Sequence, residues 1–166
     1  MRPQPLRRLL SRAAFAALVL ALAPALAPAA DGGETRFVSL RSDKVNLRAG
    51  PGTRYPVEWV YQRRALPVAI IAEFDTWRKV RGPDGTEGWV HQSLLSTRRT
   101  VIVTGELRTA RRRAEADAPV VFRIEGGATA RLLRCGAEWC QIEAERMKGW
   151  VERAALWGLL PGEIVD

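Results

Sequence analysis

The chain has one histidine and two cysteines, and these bound the covalent chemistry open to it. A catalytic nucleophile needs a base and an orienting group within reach. His91 is the single imidazole, and Cys135 and Cys140 stand far from it in sequence. The cysteines are separated by four residues, not by the two of a redox motif. No Gly-x-Ser-x-Gly elbow occurs. Glu58, Glu73, Asp75, Asp84 and Glu87 show no paired arrangement, whereas glycoside hydrolysis needs two carboxylates flanking one cleft. A metal site needs more ligands than two cysteines and a distant histidine. The expectation is a non-enzymatic chain with no catalytic residues, no cofactor and no metal.

What remains is binding chemistry. In "VNLRAGPGTRYPVEWV", from residue 45, Arg48 and Arg54 stand close to Tyr55 and Trp59. A groove floored by the two rings and rimmed by the two arginines would suit a peptide or glycan bearing carboxylates. Arginine grips a carboxylate through two parallel hydrogen bonds, and flat groups stack on rings. Trp77 and Trp89 are further aromatic candidates. They recur as Trp139 and Trp150, which fits packing as well as binding. His91 lies in "GWVHQSLL", where it either caps a short helical turn or meets a ligand. The run "RTARRR" makes Arg108, Arg111, Arg112 and Arg113 a basic patch. It reads either as a solvated loop or as a contact to an anionic glycan, a lipid headgroup or an acidic partner.

The elements that position these residues begin after a leader. The opening "MRPQPLRRLLSRAAFAALVLALAPALAPAA" has a basic start, a run of about fifteen apolar residues and a small-residue site, the layout of a secretory signal peptide. Residues 1–29 are read as that signal and 30–36 as a short linker. The apolar run is short for a membrane span, which needs about 20 residues, so no span is expected after cleavage. The signal carries four arginines and no acid, so the formal charge falls from +8 to +8 − 4 = +4. Export and this modest charge turn the reading away from nucleic acid and towards the periplasm or the exterior. In such an oxidising compartment Cys135 and Cys140 are expected to form a disulfide across the turn "GAEW", worth about 2 kcal/mol in the chain-entropy picture.

Beyond the leader, short apolar runs alternate with Gly, Pro, Asp and Thr, the rhythm of a small barrel or sandwich. An internal repeat is visible. Leu47-Arg48 can be laid on Leu107-Arg108, Pro56-Val57 on Pro119-Val120, Trp77 on Trp139, and Gly88-Trp89-Val90 on Gly149-Trp150-Val151. The offsets are 60, 63, 62 and 61 residues, with the drift placed in the loop after the Leu-Arg pair. Such a period means a duplicated structural unit. The final "ALWGLLPGEIVD" is expected to close the second unit, with Trp157 and Leu159 packing back onto it.

The residues "VNLRAGPGTRYPVEWV", "WRKV" and "GWVHQSLLS" resemble bacterial-type SH3 domains, and the tandem resembles exported proteins carrying two of them. The first repeat is close to that pattern. The second departs from it, with Glu106 where the first has Asn46 and "ARRRAEADA" in place of the Gly-Pro loop. The resemblance implies an all-β chain of two small SH3-like β-barrels in tandem, at residues 37–97 and 98–160, followed by a tail at 161–166. It also implies a binding role, towards cell-wall peptidoglycan, its peptides or another anionic envelope component. The alternative is an adaptor that docks an envelope protein; a degenerate hydrolase or small-molecule sensor is a third. In a thiol hydrolase of the cell-wall type the cysteine would precede the histidine, and here His91 comes first.

Overall fold

A computed structural model describes residues 35–166. The expected signal peptide and most of the linker lie outside the described residues. Fourteen strands follow in chain order. The first seven are β1 (Arg36–Leu40), β2 (Val45–Arg48), β3 (Val57–Tyr61), β4 (Pro67–Phe74), β5 (Trp77–Arg81), β6 (Glu87–His91) and β7 (Leu95–Ser96). The second seven are β8 (Thr100–Val103), β9 (Arg108–Arg111), β10 (Val120–Ile124), β11 (Thr129–Cys135), β12 (Trp139–Ala144), β13 (Met147–Glu152) and β14 (Leu156–Trp157). They form two antiparallel sheets, ordered β3-β2-β6-β5-β4-β1-β7 and β10-β9-β13-β12-β11-β8-β14. The fold is therefore all-β, with two SH3-like units in tandem.

Local sequence explains the bending. In β4 the register slips between Ile70 and Ala72, and in β11 between Leu132 and Arg134. An extra residue on one strand kinks it and sharpens its twist, which lets seven short strands curl around one small core. Alternation then sorts the side chains. Val45, Leu47, Val80 and Val90 point inward with Val68 and Ile70; Val103, Ala110, Phe122, Leu132, Ile142 and Val151 do so in the second unit. The Cys135–Cys140 disulfide joins directly opposed residues of β11 and β12 inside that second core.

The backbone corrects the repeat alignment. Arg48 pairs with Trp89, and Arg111, not Arg108, pairs with Trp150. Ala49 N–H bonds Pro56 C=O, and Arg112 N–H bonds Pro119 C=O. Leu47 is thus equivalent to Ala110, and the counterpart of Asn46 is Thr109 rather than Glu106. The loops 49–56 and 112–119 have equal length, as do the connections 41–44 and 104–107, so one offset of 63 residues holds from β1 and β8 through β3 and β10. A size exchange hid this from the sequence. In the first unit Leu47 fills the space beneath Gly88, and its ladder partner Trp59 is 48% exposed. In the second, Ala110 leaves room under Gly149, and its partner Phe122 turns inward to fill it.

The two units pack together. Ile102, on the first strand of the second unit, belongs to the core of the first. Thr100 Oγ1 donates to Ala65 C=O at 2.8 Å, and Ser39 Oγ donates to Arg98 C=O at 2.8 Å. Leu159 packs on the second core as expected. Trp157 does not stay within its own unit: its ring meets Phe37 of β1 edge-on at 5.1 Å. The last residues are bound into the second unit, where Val165 and Cys135 exchange two backbone hydrogen bonds.

Candidate functional site

The sheet formed by β2, β6 and β5 presents its other face to solvent. Because Leu47, Val80 and Val90 point inward, their neighbours Asn46, Arg48, Trp77, Lys79, Trp89 and His91 point outward. The ladder sets Trp77 opposite His91, Lys79 opposite Trp89, and Trp89 opposite Arg48. At one end of this face is a cleft of about 460 Å³ bounded by Lys44, Asn46, Arg48, Thr53, Trp77 and His91. Three of the residues singled out from sequence meet there: Arg48, Trp77 and His91. Trp89 lies on the same face, outside the cleft.

Arg48 has a structural duty first. Its Nη1 donates to the carbonyls of Thr53 at 3.1 Å and Tyr55 at 2.7 Å, pinning the loop against the sheet. Tyr55 folds back over Gly50, where an added Cβ would lie 2.6 Å from the ring. Glycine is required there by contact rather than by backbone angle. Arg54 sits over the Tyr55 ring at 5.2 Å, a cation–π contact. Tyr55 and Arg54 therefore brace the loop internally.

Trp59 is not a partner of Tyr55 in a common groove. It shares a strand face with Tyr61, at 6.5 Å between rings, while Arg48 projects from the opposite face. The groove expected from Tyr55, Trp59, Arg48 and Arg54 is replaced by a cleft on the neighbouring strands. Lys44, Asn46 and Thr53 were missed by the sequence reading. Strand alternation around Arg48 would have flagged Lys44 and Asn46, which lie four and two residues before it.

His91 caps the 3-10 turn Gln92–Leu94. Its Nδ1 accepts from Ser93 N–H at 3.3 Å and lies 2.7 Å from Ser93 Oγ. Accepting at Nδ1 puts the proton of the neutral ring on Nε2. The ring stands edge-on to Trp77 at 5.5 Å. Lys79 and Arg81 both pair with Glu87, and their hydrogen bonds hold its carboxyl below the usual range. Lys44 has no such partner among the described residues, so it contributes the free positive charge of the cleft.

The second unit carries the same cleft in altered form, about 200 Å³ between Thr109, Arg111, Trp139 and Glu152. Arg111 keeps the clamp, donating from Nη1 to Ala118 C=O at 2.8 Å. Glu152 stands where the first unit has His91, opposite Trp139 in the ladder. The run Arg108 to Arg113 does not form one cationic surface. Arg108 and Arg111 leave opposite faces of β9, Arg108 Nε is bonded to Thr104 C=O, and Arg113 pairs with Glu115. Arg112 is exposed.

Among the described residues no group of three or more metal-ligating side chains converges, and no helix is long and apolar enough to cross a membrane. No curated protein matches the chain. Two solved structures with partial likeness are NlpC2 and NlpC1 of Trichomonas vaginalis, at 11% and 12% identity and a TM-score of 0.34 each. They cover 74% and 82% of this chain, which spans about half of theirs, 48% and 50%. The bacterial SH3 domain family matches residues 41–97 and again residues 105–158. Domains of this family are commonly cell-wall binding modules, typically non-catalytic and extracellular or in the envelope. With one such domain in each of its two barrels, the chain belongs to the bacterial SH3 domain family.

Proposed function

We propose that the chain is a non-enzymatic binding module of the cell envelope, periplasmic or secreted, whose first barrel holds peptidoglycan or its peptides. The observation that carries this reading is the first unit's cleft. A half-buried Trp77 there adjoins Lys44, Asn46 and Arg48 on a rigid sheet. A stem peptide offers what these groups take: flat peptide planes for the ring and carboxylates for the cations. The matching cleft of the second unit is smaller and has Leu107 and Glu152 where Lys44 and His91 stand.

Co-sedimentation with purified sacculi tests it. Wild-type protein should pellet, and Trp77→Ala with Lys44→Gln should stay in the supernatant. Failure of the wild type to pellet would sink the proposal.

A second reading, an adaptor docking an envelope protein, draws on β3. This strand ends its sheet and exposes Val57 and Trp59, and an extended peptide can add to such an edge. Crosslinking from residue 59 in the envelope should then trap one dominant protein. A diffuse smear would count against it.

A further inference from the structure

The second barrel carries a groove with a wall that the first lacks. It measures about 920 Å³ and runs between Trp139, the 3-10 turn Arg153–Ala155 and the C-terminal segment, whose Leu159, Leu160 and Pro161 form an apolar wall. The wall is fastened in place. Arg153 Nη1 donates to Gly136 C=O at 2.8 Å and Glu163 C=O at 2.6 Å, and its Nη2 donates to Leu160 C=O at 2.6 Å. Glu163 in turn accepts from Leu160 N–H and pairs with Arg99. In the first unit the chain leaves β7 directly for β8, so nothing there builds such a wall.

The rim carries Glu138 and Glu152, with Glu115, paired with Arg113, beside them. Glu138 precedes Trp139 in the chain, Glu152 faces Trp139 across the ladder, and all three line the groove. Neither Glu138 nor Glu152 has a cationic side chain within 4.0 Å among the described residues. The equivalent positions of the first unit are Gly52, Thr76 and His91, fixed by matching backbone bonds: Tyr55 N–H to Gly52 C=O as Ala118 N–H to Glu115 C=O, and Gln92 N–H to Thr76 C=O as Arg153 N–H to Glu138 C=O. The duplicated surface has therefore diverged in charge. Lys44 and His91 of the first copy give way to Leu107 and Glu152 in the second, and Thr76 to Glu138, while the clamping arginine is kept as Arg111, on a chain of formal charge +8.

We infer that this groove docks a basic protein segment, an extended stretch alternating apolar side chains with lysine or arginine. The apolar side chains seat against Leu159, Leu160 and Pro161. A cation lies on the Trp139 face between Glu138 and Glu152, where ring and carboxylates attract it together. Charge complementarity selects this occupant. An acidic or neutral segment would leave the two rim carboxylates uncompensated, and an apolar one would bury them unpaired.

The test uses a fluorescein-labelled, N-acetylated peptide of alternating lysine and leucine, titrated into the protein of residues 30–166. Its counterpart with glutamate for lysine is the control. Saturable binding of the lysine peptide is expected, weakened about tenfold by Glu138→Gln with Glu152→Gln and lost on Trp139→Ala, while Trp77→Ala leaves it unchanged. The Glu→Gln pair is isosteric and at the surface, so it reads charge rather than folding. Absence of saturable binding, equal binding of the glutamate peptide, or indifference to the Glu→Gln pair would overturn the inference. So would sacculus pelleting that fails in the Glu→Gln pair while peptide binding persists, since the groove would then be a cell-wall site. Loss of pelleting in the Trp77 variant with peptide binding intact separates this groove from the cleft of the first barrel.

Discussion

Arg48 and Arg111 hold the same post in the two barrels: each reaches seven residues ahead, to Tyr55 C=O at 2.7 Å and Ala118 C=O at 2.8 Å. The loops they clamp share no residue pattern beyond a final proline, yet have equal length and the same closing bond. The arginine, not the Gly-Pro sequence, sets the loop's path. Arg111→Ala should cost about 1.5–3 kcal/mol, the range for a hydrogen bond from a charged donor. Arg111→Lys should recover little, because an ammonium is shorter and lacks the planar fork. Urea denaturation checks this; equal stability of the lysine variant and wild type would refute the clamp.

Gly82 has a partner to protect. A Cβ there would lie 1.9 Å from the hydroxyl of Tyr61, which donates to Asp84 Oδ1 at 2.7 Å. Burial and the adjoining carboxylate push the Tyr61 hydroxyl well above its usual pKa, so it stays a donor at any ordinary pH. Gly82→Ala should destabilise by about 1–3 kcal/mol through overpacking. In a Tyr61→Phe background the same change should cost less, though the ring Cζ at 2.7 Å still crowds it. Additive penalties in that double-mutant cycle would show that the clash is not what glycine avoids.

The exchange of Leu47 and Trp59 for Ala110 and Phe122 predicts an epistatic pair. Ala110→Leu alone crowds Phe122 and should cost about 1–3 kcal/mol. Ala110→Leu with Phe122→Trp copies the first barrel, leucine inward and indole outward, and should be less damaging than the leucine alone. Thermal melts of the three variants decide it; a double variant worse than Ala110→Leu would reject the exchange.

Glu163 makes the C-terminal wall acid-sensitive. Hydrogen bonds from Arg99 hold its carboxyl below the usual range, with burial pushing the other way. A folded-state pKa below the unfolded value means that the carboxylate stabilises fully above the unfolded value, about 4.3. That contribution is lost as pH falls through the lower folded value. Wild type should therefore melt higher than Glu163→Gln at neutral pH, with the gap closing below about pH 4.3. A gap constant from neutral pH to pH 3 or so would be inconsistent with this linkage.

Much of the fold was legible because it rests on alternation and on a repeat. Inward valines and leucines at every second position, the Gly-Trp-Val signature and the turn chemistry of "RGPDGTEG" are local signals. The hairpin between Cys135 and Cys140 likewise showed in composition. The slip in aligning β9 arose because identity favoured Leu107, which is 55% exposed, over Ala110, which is buried. A small core residue compensated by a partner across the ladder leaves no local trace. The site was half legible for the same reason. Arg48, Trp77 and His91 were found by type, but Tyr55 and Trp59 were grouped by nearness in sequence. Tyr55 lies in the loop, folded over Gly50, and Trp59 lies on the strand face opposite Arg48, so nearness along the chain did not bring them together.

Ile102 belongs to the second repeat by descent and to the first core by packing, while Trp157, on the last strand, rests against Phe37 on the first. A cut between the repeats would leave a hole in one barrel and an uncovered indole on the other. The packed unit of this protein is therefore the pair. The spacing of the two clefts is thus set by the packing of one barrel on the other and not by a linker.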